Sequence, residues 1–312
     1  MKILHFTAMS PLSPNSGVPA VLKCLTDEQN KIEGVETRVL ALCSPVDMID
    51  SDCFDSLGDG KIDDYLDLFC PDMAIFHSFY HIEYATAERA LTKRGIPFFI
   101  EPHGAFGHSA MRKGWLKKYV ADRTVFRALF KNAAGFIYTN LAESQDSIYQ
   151  SKQSTVIPNG IIESIAIESN SKKPASLKEP VFYFLGRYDI HHKGLDYLLD
   201  ALKILDDKGE KITIRLYGIG TDEQVTFVRD KIATFKNIDA GDMGTIYGDR
   251  KKDALEDANI LVLTSRYEGS PMTILDGFCY GNPCLVTPGT NVADEAVEHR
   301  VGWKTDLDAS SI

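Results

Sequence analysis

No two of the chain's six cysteines form a C-x-x-C pair, and Cys24, Cys43, Cys53, Cys70, Cys279 and Cys284 show no metal-ligand spacing. They read as reduced thiols, mostly packed, of a cytosolic protein. No apolar run approaches the roughly 20 residues of a membrane-spanning helix. The opening "MKILHFTAMSPLSP" lacks a basic leader region and reads as a strand and a loop, not a signal peptide. Acidic residues outnumber basic ones, 44 to 34, so at a net charge of −10 nucleic acid is not expected as the main partner. Gly218 and Gly220 follow a strand, but Glu223 occupies the third position of G-x-G-x-x-G, so the dinucleotide fingerprint is missing. There is no G-x-x-x-x-G-K-[ST] loop and no G-x-S-x-G elbow, which removes support for a P-loop or a hydrolase triad. Asp50 and Asp52 stand in a polar loop of an acidic chain, and no metal is expected.

What is present is ordinary soluble composition, 44% hydrophobic and 25% charged, over a length of 312 residues that suits two domains. Strand-like and helix-like runs alternate throughout. In the first half the strands are "KILHF", "TRVLAL", "MAIFHS", "PFFIEP", "GFIYTN" and "STVIPN". Helices are expected near 18–32, 84–95, 109–132 and 141–150. The polar stretch 167–180, with two prolines and no periodicity, reads as a linker between domains at 1–166 and 181–312. In the second half the strands are "VFYFLG", "TIRLYG", "ILVLTS" and "PCLVTP", with a weaker one near 243–247. Helices are expected near 194–208, 221–235, 249–257 and 271–280. This alternation predicts two Rossmann-like, parallel-sheet α/β/α domains, facing each other across a cleft at the carboxyl ends of their strands.

The candidate chemistry sits at strand ends. In "SRYEGSPMTILDGFCYGNPC", residues 265–284, a buried strand is followed by Glu268 in a tight loop. A short helix then opens with Ser270 as expected N-cap and Pro271 at its first position. Helical spacing puts Met272, Leu275, Phe278 and Cys279 on one face, and Thr273, Asp276 and Tyr280 on another. Two carboxylates beside a helix N-terminus suit a ligand with hydroxyls and phosphates. In "FLGRYDIHHKG", Arg187 stands at a strand end and Lys193 precedes a helix, either as a solvated loop or as a pair of cations for a diphosphate. In "EPHGAFG", His103 ends a buried strand, and Gly104 is expected to expose it, whereas His5 and His77 read as structural. "VIPNG" places Asn159 in a turn, and Gly17 lies between the first strand and its helix. The segment 111–132 carries seven Lys or Arg against one acid, Asp122, with Trp115, Leu116 and Tyr119 among them. It is either a solvated helix packing Val125, Leu129 and Phe130 on the sheet, or a membrane-surface helix.

The order and spacing of these four motifs resemble the retaining family 4 glycosyltransferases of GT-B fold, of the bacterial polysaccharide and lipopolysaccharide type. Their E-x7-E signature is matched by Glu268 and Asp276, with Asp in the second place. The resemblance implies transfer of a sugar from a UDP-, GDP- or ADP-linked donor to a hydroxyl of a glycan or lipid-linked acceptor, with no metal and no cofactor beyond the donor. It implies that Glu268 contacts the sugar hydroxyls and Asp276 the ribose. Arg187 and Lys193 would hold the diphosphate, and Ser270, Pro271, Met272, Thr273 and Asn159 would line the donor site. Gly17 would roof the phosphates, and His103 would stand near the reaction centre. It also implies further C-terminal helices beyond "TDLDASSI", and a cytoplasmic protein that can rest on the inner face of a membrane. The alternatives are a sugar-nucleotide-binding protein without catalysis, or an epimerase or phosphorylase on the same fold.

Overall fold

The computed structural model describes residues 1–9, 17–43, 49, 51–112, 114–149, 153–161 and 180–312, the side chain of Ser109 excepted. The chain divides into two compact units, Met1–Gly160 and Ile161–Ile312. The expected linker, apart from Pro180, lies outside the described residues.

The first unit is built on strands β1 (Lys2–Thr7), β2 (Glu36–Ala41), β3 (Phe54–Ser56), β4 (Met73–His77), β5 (Phe98–Glu101), β6 (Gly135–Tyr138) and β7 (Ser154–Val156). They lie in the order β3-β2-β1-β4-β5-β6-β7, and every pairing is parallel. The second unit has β8 (Val181–Leu185), β9 (Thr213–Tyr217), β10 (Asp239–Gly244), β11 (Ile260–Leu263), β12 (Cys284–Val286) and β13 (Gly302–Lys304). Their order is β10-β9-β8-β11-β12-β13, again all parallel. Both are doubly wound sheets. The strand order reverses beside β1 in the first and beside β8 in the second, and ligands bind such sheets at the carboxyl ends of the strands flanking that point.

The helices of the first unit are α1 (Gly17–Gln29), α2 (Ile62–Phe69), α3 (Tyr84–Arg94), α4 (His108–Arg112), α5 (Trp115–Arg123), α6 (Arg127–Asn132) and α7 (Leu141–Asp146). Those of the second are α8 (Leu195–Asp207), α9 (Asp222–Ile232), α10 (Gly248–Asp257), α11 (Met272–Cys279) and α12 (Ala293–Glu298). Alternation along each strand sorts the first core. Leu4, Phe6, Phe76, Phe98 and Phe136 meet α2 and α3 in one cluster, while Ile3, Ile75 and Ile137 form another. His5 and His77 fall on the Ile3 face by the same alternation.

Three expectations change. The single helix over 109–132 is three helices, because Gly114 takes a left-handed φ of 70° and Thr124 leaves helical geometry. Phe126 and Leu129 are buried there, whereas Val125 is 41% exposed and does not pack on the sheet. The weak strand near 243–247 is β10, residues 239–244, whose sequence "DAGDMG" has no apolar run to betray it. Strands β3 and β13 and helices α2 and α12 went unread. The two strands have three residues each and the second helix six, too few for a pattern. All six cysteines are free thiols.

Asp206, at the end of α8, ties that helix to the turn before β10. Its buried carboxylate accepts hydrogen bonds from the backbone N–H groups of Lys236 at 2.7 Å, Asn237 at 2.6 Å and Ile238 at 3.3 Å. Those bonds, the Asn237 N–H first, hold its pKa down from 3.8 to about 2. A depressed pKa contributes stability above the unfolded value, and the contribution is lost as pH falls through the folded one. Asp206→Asn is therefore expected to unfold more readily in urea at pH 6. Its stability should also fall less steeply than the wild type's between pH 4 and pH 2. Parallel pH profiles for the two proteins would refute this role.

Candidate functional site

In the second unit the loops after β8 and β11 are tied together. The Thr264 hydroxyl donates to the Gly194 carbonyl at 3.0 Å, and the Arg266 N–H donates to the His192 carbonyl at 2.9 Å. The Arg266 guanidinium grips both oxygens of Asp196, at 2.9 and 2.6 Å, and lies over the Tyr197 ring. His192 donates from Nε2 to the Tyr267 carbonyl at 2.7 Å and stacks on the Tyr267 ring, with centroids 4.2 Å apart. Burial pushes the His192 pKa down, so this ring is neutral. Gly194 has a φ of 62°, and a Cβ there would lie 2.0 Å from the Thr264 carbonyl oxygen, so only glycine lets the loops approach.

This pairing brings Lys193 and Glu268 together. Lys193 Nζ donates to Glu268 Oε1 at 2.5 Å, with side chains 12% and 10% exposed. The Ser265 hydroxyl donates to the same oxygen at 2.5 Å. Asn291, itself at a φ of 62°, donates from Nδ2 to the Glu268 carbonyl at 2.6 Å and fixes the loop from behind. Arg187 is exposed at the end of β8 and makes no hydrogen bond or ion pair among the described residues.

Helix α11 opens directly after this loop. Pro271, extended at ψ 109°, is its N-cap, and no side chain caps it, so Ser270 is not the cap and Pro271 not the first helical residue. With the loop held by Asn291, the helix begins one residue later than its sequence suggests. The Ile274 N–H turns back to the Pro271 carbonyl at 3.0 Å, which leaves the N–H groups of Met272 and Thr273 without an intrahelical partner, and the helix dipole adds positive potential there. The Thr273 hydroxyl is buried with no hydrogen-bond partner among the described residues. The face of α11 that meets the sheet is Ile274, Gly277 and Cys279, and Met272, Leu275 and Phe278 are only partly buried. Gly277 lets the helix press on Tyr183, whose hydroxyl would stand 2.7 Å from a Cβ. One turn into α11, Asp276 pairs with Lys251 of α10 at 2.6 Å, both about three-quarters buried.

The other expected residues belong to the first unit. Gly17 is the first residue of α1, and the loop before it lies outside the described residues. Asn159 follows β7, partly buried and without a hydrogen bond among the described residues. His103 is not exposed by its glycine. Its side chain is 9% exposed, and its own φ of 48° turns the ring inward, where Nε2 lies 3.0 Å from His77 Nδ1. A left-handed non-glycine residue stores strain, which concentrates at functional sites. Burial lowers the His103 pKa to about 4 and raises that of Glu101 to about 8. The carboxylate oxygens of Glu101 lie 3.5 Å from His77 Nδ1 and from His103 Nε2. The ligand atoms of His77, Glu101 and His103 fall within 4.8 Å of one another, the one such metal-sized group among the described residues. Glu143 accepts from the Gly104 N–H at 2.5 Å and so secures the turn that carries His103.

Sequence reading missed Ser265, His192, Lys251, Asn291 and Glu143. Only Glu143 left a signal: Asn140-x-x-Glu143 is a helix-start pattern, and the Asn140 side chain indeed caps α7. The others are polar residues whose partners lie 3 to 75 positions away.

The family model described as "Glycosyl transferases group 1" matches residues 166–306. No curated protein matches the chain. Among solved structures, the Anabaena protein Alr3699/HepE in complex with UDP is similar at a TM-score of 0.71 and 15% identity, covering 100% of this chain and 87% of that one. The N-terminal domain of Candida albicans trehalose-6-phosphate phosphatase is similar at 0.70 and 12%, covering 99% and 87%. The lipopolysaccharide outer core galactosyltransferase WaaB, in apo form, is similar at 0.59 and 17%, covering 92% and 80%. These likenesses establish two GT-B-type parallel-sheet domains. The family match over residues 166–306 supports a glycosyltransferase.

The close approach at Gly194 is open to test. A positive φ costs an alanine about 1–2 kcal/mol, and forced overpacking about 1–3 kcal/mol more. Gly194→Ala is expected to lose both and to separate Lys193 from Glu268. Gly209→Ala, with a φ of 81° and open space around it, should lose only the first. Equal losses in thermal unfolding would remove the argument that the two loops need this glycine.

Proposed function

We propose that the chain is a retaining glycosyltransferase that moves a sugar from a nucleoside diphosphate donor to a hydroxyl of a glycan or lipid-linked acceptor in cell-surface polysaccharide synthesis. One observation carries the donor site. An unpaired arginine, a buried Lys–Glu pair, an orphan hydroxyl and an uncapped helix N-terminus meet at the carboxyl ends of β8 and β11. As the glycosidic bond breaks, charge grows on the leaving diphosphate. Arg187, Lys193 and the N–H groups at the start of α11 stabilise that charge without a divalent ion. The Thr273 hydroxyl donates to a phosphate oxygen and gains the partner it lacks. Glu268 accepts hydrogen bonds from sugar hydroxyls, while Ser265 and Lys193 hold its carboxylate in place. Asp276 takes the ribose, held by Lys251. In the first unit, His103 accepts from a sugar hydroxyl at the carboxyl edge of the sheet. UDP is the donor nucleotide to test first, because the Anabaena neighbour was solved with it.

The acceptor reading draws on α4, α5 and α6. Trp115, Leu116, Tyr119, Val120 and Val125 are 64%, 58%, 49%, 51% and 41% exposed, and Arg112, Lys117, Arg123 and Arg127 are exposed among them. No residue of α5 is buried. Aromatic and aliphatic groups set among cations suit an anionic lipid surface, where a lipid-linked acceptor is held. No helix among the described residues is long and apolar enough to cross a membrane.

Arg187→Ala is expected to weaken UDP binding by about 10- to 150-fold, the equivalent of about 1.5–3 kcal/mol for a charge-assisted contact, and to leave uridine binding nearly unchanged. Glu268→Gln should cut turnover far more than UDP affinity, and Asp276→Asn should do the reverse. UDP binding in calorimetry with no sugar transfer to any acceptor would favour a binding protein without catalysis. A strict requirement for a divalent ion would overturn the charge assignment.

For the membrane contact, sedimentation with vesicles should show binding to anionic but not neutral lipid, lost at high salt. Each basic residue near the surface is worth about 1 kcal/mol. Changing Arg112, Lys117, Arg123 and Arg127 together to Gln should thus lower partitioning by roughly 100- to 1,000-fold. Equal binding to both vesicle types would point to a soluble acceptor.

A further inference from the structure

The buried histidines of the first unit form a chain with a direction. Gln29, the last residue of α1, presents Oε1 to His5 Nε2 at 3.1 Å. His5 Nδ1 lies 2.7 Å from His77 Nε2, and His77 Nδ1 lies 3.0 Å from His103 Nε2. The strands set this path. His5 on β1 is in register with Ile75 on β4, so His77 is two residues further along, and Glu101 on β5 is in register with His77. The three rings step diagonally across neighbouring strands toward the carboxyl edge of the sheet. Burial depresses the pKa of all three, so each is a neutral imidazole with one N–H and one bare nitrogen.

With Gln29 set to present Oε1, which can only accept, His5 donates from Nε2. His5 Nδ1 is then bare and accepts from His77 Nε2–H. His77 Nδ1 is bare in turn and accepts from His103 Nε2–H. The last ring is left with a lone pair at Nδ1, which has no partner among the described residues. We propose that Gln29 is a positioning residue that fixes the tautomer of His103 through His5 and His77, so that His103 meets its ligand as a hydrogen-bond acceptor at Nδ1. On the glycosyltransferase reading above, on which this use of His103 rests, that ligand group is a sugar hydroxyl. Burial pushes the pKa of Glu101, which straddles the His77–His103 bond, up to about 8 and so works against a charge that would favour an imidazolium. The same direction disfavours a metal ion on His77, Glu101 and His103, because His103 Nε2 carries the proton that a metal would have to displace.

The test is long-range proton–nitrogen correlation NMR on the full chain with 15N-labelled histidine, without ligand at neutral pH. His5, His77 and His103 are assigned by single His→Asn variants. All three rings should be Nε2–H tautomers. Gln29→Lys, which only donates, should move the proton of all three to Nδ1. An Nδ1–H tautomer of His103 in the wild type would overturn the proposal. So would an unchanged His103 in a folded Gln29→Lys variant. The wild-type spectrum decides the direction even if that variant does not fold. Stoichiometric binding of added zinc, with loss of the His77 and His103 N–H signals, would overturn it too. These readouts need no activity, so a correct tautomer in a protein that transfers no sugar would reject the donor reading and leave the relay standing.

Discussion

A lysine and a glutamate that are each about nine-tenths buried have given up most of their hydration, and the second unit is arranged around that fact. Breaking such a pair by removing one partner typically costs about 3–5 kcal/mol, because the other is left charged and alone. Lys193 and Glu268 therefore need more than each other. Ser265 supplies a further donor to the carboxylate, Asn291 pins the Glu268 backbone, and Thr264 pins the backbone of Gly194 beside the lysine. The two strands that carry these loops are neighbours in the sheet, which places the pair at the point where the strand order reverses. On the proposed function, a polar ligand that enters exchanges bonds with groups already held in place. That is the preorganisation a growing negative charge requires.

The first unit solves a related problem without charge. Three imidazoles and a carboxyl group are buried together, and desolvation drives the histidines and Glu101 toward their neutral forms. Neutral groups still need hydrogen bonds, and a row of imidazoles satisfies itself if every ring points the same way. Glu143 adds the anchor for the turn at Gly104, and it uses its remaining oxygen on the N–H and hydroxyl of Thr139. His103 is thus fixed by its ring and by its backbone.

Some of this was legible along the chain. A strand buried on both faces of a parallel sheet reads as an unbroken apolar run, which is why "ILVLT" and "MAIFH" stood out. The edge strand "DAGDMG" did not. Its Asp239 and Asp242 face Arg215 and Arg229 instead of a core, so no run could form. Arg187, Lys193, Glu268 and Asp276 were recognisable because they follow strands or open helices. Their partners were not. Glu268 finds Lys193 75 residues away and Asp276 finds Lys251 25 residues away, and nothing local marks either pairing. His103 misled for a local reason: a following glycine suggested exposure, and the left-handed φ lay on the histidine as well.

The order of residues settled which segments become strands and helices, since alternation and apolar runs are properties of a few neighbours. It also settled that polar groups cluster at strand ends, because loops follow strands in the chain itself. Tertiary structure alone decided which of those groups meet. Parallel register sets His5 beside Ile75 and His77 beside Glu101, and so aligns two rings on neighbouring strands with a third on the turn after β5. The close approach at Gly194 joins two loops that the chain keeps 70 residues apart. Burial then fixes the charge of each group, a quantity that depends on all surrounding atoms and on no single neighbour in sequence.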